Sequence, residues 1–172
     1  MTIRVYLADD HSVVREGLAH LLALQPDFEV VGTAANGHDA VADITRLRPD
    51  AAIMDVHMPK MNGIEATRQL HERVPAVGVL ILSMHASPQH VFQALEAGAR
   101  AYLQKESAAQ EIVGAVRAVH AGRRYLTPAI AGVVADYVSG RHDPSPLTKL
   151  SRREREILQP RLIGSPSRPA KK

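Results

Sequence analysis

Residues 3–10 are Ile3-Arg4-Val5-Tyr6-Leu7-Ala8-Asp9-Asp10, a short apolar run that ends in two adjacent carboxylates. Its length and apolar content predict a buried strand. Three later apolar runs lead in the same way to single polar residues, Asp55, Ser83 and Lys105. Ligand sites in an open α/β sheet form at the carboxyl ends of strands, so these five side chains are expected to converge. The pattern therefore predicts one site for a phosphate and a metal ion.

The first 120 residues alternate strand-like and helix-like patterns five times, with turn residues between them. This alternation predicts an α/β protein with a parallel sheet covered on both faces. We expect a flavodoxin-like, doubly wound sheet of five strands in the order 2-1-3-4-5, in which the first and third strands are neighbours and Asp55 is central. Ser107 and Gln110 are spaced as a capping box at the start of the fifth helix.

The pattern changes beyond Gly122. Thr127-Pro128 opens an apolar stretch that predicts one more helix, ending near Val138. Residues 139–146 are rich in Ser, Gly and Pro, which is typical of a linker, and a short helix is predicted to begin at Ser151. We therefore divide the chain into a domain over 1–122, a linker helix and linker over 123–147, and a helical stub with a basic disordered tail over 148–172.

Composition narrows the class of protein. The chain has 172 residues and no cysteine, which excludes disulfides and thiolate metal sites. The chain begins without a signal-peptide pattern, and no apolar run approaches about 18 residues, so we expect a cytoplasmic protein with no membrane segment. Its nine histidines show no His-Glu-x-x-His spacing, so zinc is not expected.

Charge is divided unevenly along the chain. Residues 1–140 hold 12 Lys and Arg against 15 Asp and Glu, whereas residues 141–172 hold 9 against 3. A basic end on an acidic domain is typical of a segment that faces nucleic acid, or of a solvated tail.

The chemistry of the five residues indicates phosphoryl transfer. Asp10 and Asp55 are the expected direct ligands of Mg²⁺, with Asp9 acting through water and the backbone carbonyl of His57 as a further donor. Asp55 can then attack a phosphoryl group. Ser83 and Lys105 are expected to contact the phosphoryl group rather than the metal ion. Taken singly, each residue also has a simpler interpretation, such as a helix cap, a turn residue or a solvated charge.

Residues 1–120 resemble a receiver domain of bacterial two-component response regulators. The resemblance is carried by Leu7-Ala8-Asp9-Asp10-His11, Met54-Asp55-Val56-His57-Met58-Pro59, Leu82-Ser83-Met84-His85 and Ala101-Tyr102-Leu103-Gln104-Lys105. It implies a CheY-like fold, Asp55 as the acceptor of a phosphoryl group from a sensor histidine kinase, and Ser83 and Lys105 as phosphoryl contacts. It also implies that Tyr102 is a switch residue that follows Ser83; the alternative is a packed strand aromatic.

The second half resembles the NarL/FixJ (LuxR-type) subfamily, through residues 122–128 and 150–158. The resemblance implies homodimers on phosphorylation and a helix-turn-helix that binds DNA. After Gln159, however, Pro160 and a Pro-rich end stand where that domain would continue, so a truncated or altered domain is expected. Arg152, Arg153 and Arg155 can contact nucleic-acid phosphates; the alternative is a solvated helix face.

Three functions remain open on this basis. The first is a phosphorylated regulator descended from a transcription factor, which acts through dimerisation of its receiver and has weakened or absent DNA binding; it is not an enzyme, although it can lose its own phosphoryl group. The second is a stand-alone receiver that acts as an interaction module or phosphate sink. The third, an aspartyl-phosphate phosphohydrolase, is disfavoured because His57 stands where such enzymes resemble Asp-x-Asp.

Overall fold

A computed structural model of the chain describes residues 1–140. The helix predicted to begin at Ser151 and the three arginines that follow it lie outside these residues. Within them, strands and helices alternate: β1 (Ile3–Ala8), α1 (Ser12–Ala23), β2 (Phe28–Ala34), α2 (Gly37–Leu47), β3 (Ala51–Asp55), α3 (Gly63–Arg73), β4 (Gly78–Ser83), α4 (Pro88–Glu96), β5 (Ala101–Gln104), α5 (Ala109–His120), β6 (Tyr125–Leu126) and α6 (Pro128–Val138).

The strands form one parallel sheet in the order β2-β1-β3-β4-β5-β6. The predicted order 2-1-3-4-5 is confirmed, but the sheet has six strands rather than five. The added strand is β6, in which Tyr125 pairs with Ala101 and Leu126 pairs with Tyr102. Two residues are too few to show strand periodicity, so the sequence pattern did not reveal this edge strand.

The sheet separates two apolar clusters. Alternate strand residues such as Tyr6 and Met54 pack with α2, α3 and α4 on one face. Their neighbours Val5 and Ile53 pack with α1 and α5 on the other face. Because both faces are covered, the strands are apolar at nearly every position rather than at every second one.

Helix α6 is part of the first of these clusters. Thr127 caps its start by accepting a hydrogen bond from the Ile130 amide at 3.3 Å. Ile130 is 1% exposed and shares its cluster with Val91 of α4. The ring of Phe92 on α4 also lies 4.7 Å from the ring of Tyr137. The predicted helix is therefore present, and it packs on α4; the domain boundary at residue 122 stays a prediction.

Two further findings concern the helices. The predicted capping box at Ser107 is wrong, because α5 begins one residue later with Ala108 as its N-cap and has no side-chain cap. The Ser107 amide instead donates to the Gln104 carbonyl in a tight turn that follows β5. Within residues 1–140, no helix combines the length and apolar character needed to cross a membrane.

We expect Ile130→Ala to lower the free energy of unfolding by about 2 to 4 kcal/mol, because it leaves a cavity between α6 and α4. Val138→Ala on the same helix is the matched control. Val138 is 72% exposed, so its truncation is expected to cost less than about 0.5 kcal/mol. Urea denaturation of both variants measures the difference, and equal stabilities would show that α6 contributes nothing to the folded unit.

Candidate phosphoryl and metal site

The five polar residues predicted to converge do so at the carboxyl edge of the sheet. Asp9 and Asp10 directly follow β1, and Lys105 directly follows β5. Asp55 and Ser83 are the last residues of β3 and β4, and these two strands lie between β1 and β5 in the sheet. Four neighbouring strands thus end in the polar residues of one site.

Lys105 joins the two buried carboxylates. Its Nζ lies 2.6 Å from Oδ2 of Asp9 and 3.3 Å from Oδ2 of Asp55. The side chains of both aspartates are only 3% exposed, and that of Lys105 is 8% exposed. A buried charge is costly unless it is paired, so the ammonium is what allows two carboxylates to lie this close together.

The electrostatics of the site remain unfavourable for one carboxylate. Burial raises the pKa of the Asp55 carboxyl above its ordinary value, and the charge of Asp9 raises it further, against the opposing effect of Lys105. For Lys105, burial lowers the pKa, but the hydrogen bond to Asp9 and the nearby carboxylates outweigh burial and raise it. The lysine is therefore held charged, while the ionised form of Asp55 is kept at a cost.

The oxygen donors of the site suit a divalent cation. Ligand atoms of Asp9, Asp10, His11 and Asp55 all lie within 4.8 Å of one another. Asp10 is exposed where Asp9 and Asp55 are buried, so the cluster opens to solvent on one side. Carboxylates on one side with water on the other match the needs of Mg²⁺, which keeps several waters and takes one or two protein carboxylates.

Ser83 and Tyr102 connect the site to the loop after β4. Ser83 is fully buried, and its backbone carbonyl accepts a hydrogen bond from the Lys105 amide at 2.9 Å. Its hydroxyl oxygen accepts from the His85 amide at 3.3 Å. The buried Tyr102 hydroxyl donates to the His85 carbonyl at 2.7 Å, and burial raises the pKa of this phenol. The tyrosine is thus packed inward and tied to the same loop as Ser83.

His57 lies next to Asp55 without its ring joining the cluster. Its backbone amide donates to the Asp55 carboxyl, which lowers the pKa of that group. Its imidazole lies against His90 instead, with 5.6 Å between the ring centroids. The expected metal contact of the His57 carbonyl stays a prediction.

The pair Asn62-Gly63, whose residue types are typical of a turn, supports the site from the start of α3. Asn62 caps α3 by accepting from the Glu65 amide at 2.9 Å. A Cβ at Gly63 would lie 1.9 Å from the Asp55 carbonyl oxygen, so only glycine allows the helix to begin this close to Asp55. The spacing of Asn62 and Glu65 is that of a helix cap, and this was the signal that could have revealed it.

Comparison with known proteins agrees with this geometry. The response regulator receiver domain model matches residues 5–117, so the chain belongs to the family of response regulators with a receiver domain. It is 41% identical to the transcriptional regulatory protein UhpA of Escherichia coli, covering 91% of this chain and 74% of that protein. It is 39% identical to the DNA-binding transcriptional activator DevR/DosR of Mycobacterium tuberculosis, covering 91% of this chain and 72% of that protein.

Solved structures show the same family and fold. A LuxR-family two-component response regulator from Aurantimonas sp. superposes with a TM-score of 0.76 and 38% identity, covering 81% of this chain and 99% of that one. The receiver fold and the NarL/LuxR-type relationship expected from the sequence are therefore confirmed.

We expect Asp55→Asn to raise the free energy of unfolding near neutral pH. The folded-state pKa of Asp55 is raised above 3.8, so the stability that this residue provides is present below that value and is lost as pH rises through the folded-state pKa. The difference in the free energy of unfolding between Asp55→Asn and the parent protein should therefore shrink as pH falls from about 8 toward about 4. Urea denaturation of both proteins across this range measures it.

Asp43→Asn is the control, because it should change the free energy of unfolding near neutral pH in the opposite direction. Hydrogen bonds from Arg46 and Tyr6 hold the pKa of Asp43 below 3.8, so its contribution to stability is present above that value and is lost in acid. This variant should be less stable than the parent protein near neutral pH. A loss of stability in Asp55→Asn at pH 7 would contradict our account of the site.

Proposed function

We propose that the protein is phosphorylated on Asp55 by a sensor histidine kinase and regulates transcription in response. The observation that carries this proposal is the buried carboxylate of Asp55 at a strand end, 3.3 Å from the ammonium of Lys105 and beside Asp9. A solvated turn residue would show neither the burial nor the paired lysine. Membership of the response regulator family supports the same conclusion.

In the proposed transfer, the Asp55 carboxylate attacks phosphorus in line with its bond to the kinase imidazole. A phosphorus–oxygen bond forms as the phosphorus–nitrogen bond breaks, which leaves an acyl phosphate on Asp55 and a histidine that takes up a proton. Lys105 then contacts a phosphoryl oxygen as a compact positive charge. Asp10 and Asp55, with Asp9 acting through water and the carbonyl of His57 as a further donor, would hold Mg²⁺, whose positive charge would offset that of the transferring group.

Ser83 and Tyr102 are the proposed switch. The Ser83 hydroxyl donates to the new phosphoryl oxygen and loses its present contact with the His85 amide. Because Tyr102 donates to the His85 carbonyl, movement of this loop changes the surroundings of the tyrosine. The loop leads directly into α4, on which α6 packs, so the change is passed to the part of the chain that precedes residues 141–172.

The proposed output is a cytoplasmic, phosphorylation-dependent homodimer that acts on DNA. The chain accepts a phosphoryl group and is not an enzyme, although its acyl phosphate can hydrolyse. Support for an effect on transcription comes from relatives that are named transcriptional regulators. Arg152, Arg153 and Arg155 are the proposed contacts with DNA phosphates, and such contacts position a protein without specifying sequence.

Incubation with acetyl phosphate and Mg²⁺ is expected to add the mass of one phosphoryl group to the protein. Asp55→Asn should abolish the addition, because the amide of asparagine cannot replace the carboxylate as the attacking group. Intact mass spectrometry measures both proteins.

Asp136→Asn, on the exposed side of α6, is the matched control and should be modified like the parent protein. A phosphoryl group that persists in Asp55→Asn would show that the acceptor has been assigned to the wrong residue.

We expect the phosphorylated full chain to bind duplex DNA without enriching a class of sequences. Binding should weaken with salt, since each phosphate contact contributes about 0.9 to the slope of log K against log salt. Replacing Arg152, Arg153 and Arg155 together by alanine should lower that slope by up to about 3. Capture of random genomic fragments over a salt series provides both measurements.

The triple variant Arg46→Ala, Arg68→Ala, Arg73→Ala removes the same number of charges from helices of the receiver. It is expected to leave the slope unchanged. Enrichment of a particular sequence by the full chain would show that residues 141–172 retain specific DNA recognition.

A further inference from the structure

We propose that His11 is a nitrogen ligand of the metal site, and that it makes the site favour transition-metal ions such as Co²⁺, Ni²⁺ and Zn²⁺ over Mg²⁺. This inference rests on the proposed cation site at Asp10 and Asp55. The sequence did not suggest it, because His11 is not part of a His-Glu-x-x-His motif.

The geometry places one ring nitrogen of His11 among the carboxylates. Its Nδ1 lies 2.9 Å from Oδ1 of Asp10 and 3.2 Å from Oδ1 of Asp9. A ring nitrogen of His11 is also within 4.8 Å of a carboxylate oxygen of Asp55. The imidazole therefore faces the oxygens that would hold a cation, from the side that is open to solvent.

The local structure holds His11 in this place. The His11 amide donates to Oδ1 of Asp9 at 2.9 Å, which fixes the backbone beside the cluster. His11 is also the N-cap residue of α1, yet its side chain makes no capping hydrogen bond. The ring is 66% exposed. It is thus free of any structural task in the helix and can turn its nitrogen from the carboxylates to an ion between them.

His57 provides the contrast. It follows the acceptor Asp55 closely in sequence, whereas His11 is far from it, yet the ring of His57 lies against His90 and is not part of the cluster. Position in the fold rather than closeness in sequence selects His11 as a ligand.

The proposed preference follows from ligand chemistry. Mg²⁺ takes oxygen ligands and gains little from an imidazole. For a given site with nitrogen and oxygen donors, affinity rises from Mn²⁺ through Fe²⁺, Co²⁺ and Ni²⁺ to Cu²⁺, and imidazole is a preferred donor for the later ions. One nitrogen added to the carboxylates of Asp10 and Asp55 should therefore strengthen binding of Co²⁺ while leaving that of Mg²⁺ nearly unchanged.

The test is calorimetric titration of the full chain with Co²⁺ and, separately, with Mg²⁺, in the absence of any phosphoryl donor. His11→Ala should weaken Co²⁺ binding by about tenfold and Mg²⁺ binding by less than about twofold. His38→Ala is the matched control, because His38 is 70% exposed and also lies beside a carboxylate, with Nδ1 3.4 Å from Oδ1 of Asp39. It should leave both affinities unchanged.

Each other outcome is informative. Equal weakening of both ions by His11→Ala, or no change in either, would overturn the inference. Equal loss of Co²⁺ binding in His11→Ala and His38→Ala would show nonspecific binding to surface histidines and overturn it as well. Asp55→Asn tests the cation site of the proposed function separately from the role of His11. If Asp55→Asn leaves Mg²⁺ binding unchanged, the cation site itself is wrong. If Asp55→Asn weakens Mg²⁺ binding but His11→Ala does not change the preference for Co²⁺, only the role of His11 is wrong.

Discussion

Burial of the Asp55 carboxylate beside that of Asp9 is the constraint on which the rest of the site depends. Two ionised carboxylates at the end of neighbouring strands repel each other, and burial removes the water that would screen them. The single ammonium of Lys105 pairs with both carboxylates, with its Nζ 2.6 Å from Oδ2 of Asp9 and 3.3 Å from Oδ2 of Asp55. The raised pKa of Asp55 shows that this compensation is incomplete. The fold thus gives up stability to keep the buried carboxylate of Asp55 at the carboxyl edge of the sheet.

The sheet order makes this arrangement possible. Asp9, Asp55 and Lys105 come from β1, β3 and β5, and only parallel strands present all of their carboxyl ends on one edge. The loop after β3 must also bring the start of α3 back against Asp55, which is possible because Gly63 has no side chain to collide with the Asp55 carbonyl. Helix α3, which follows this loop, is capped by the side chain of Asn62. Small residues in the loops therefore matter as much to the site as its charged residues.

A continuous set of packed groups leads from the site to the last described helix. Ser83 contacts the loop after β4, Tyr102 donates to the same loop, and α4 follows it. Ile130 of α6 lies in the apolar cluster that contains Tyr102. The loop after β4 and α6 are thus connected through packed side chains rather than through solvent.

Part of this molecule follows from local sequence. Apolar runs with polar ends predicted β1, β3, β4 and β5, because a strand buried on both faces needs a continuous apolar stretch. Sequence spacing gave a wrong prediction where the same residues suited either a helix cap or a turn. Ser107 had the spacing of a cap, but the turn after β5 uses its amide, and α5 begins after Ala108. Strand β6 exists only because the edge of β5 was available to pair with it.

The sequence by itself determined the order of the first five strands and their helices, the residue types at the strand ends and the kind of chemistry that they allow, because each depends on periodicity and on side-chain functional groups. The tertiary structure alone decided which atoms meet. The pairing of Lys105 with two aspartates, the hydrogen bond of Tyr102 to the His85 carbonyl and the place of His11 among the carboxylates join residues through the fold. Such contacts depend on the register of the strands and on the path of the loops, which a linear pattern does not contain.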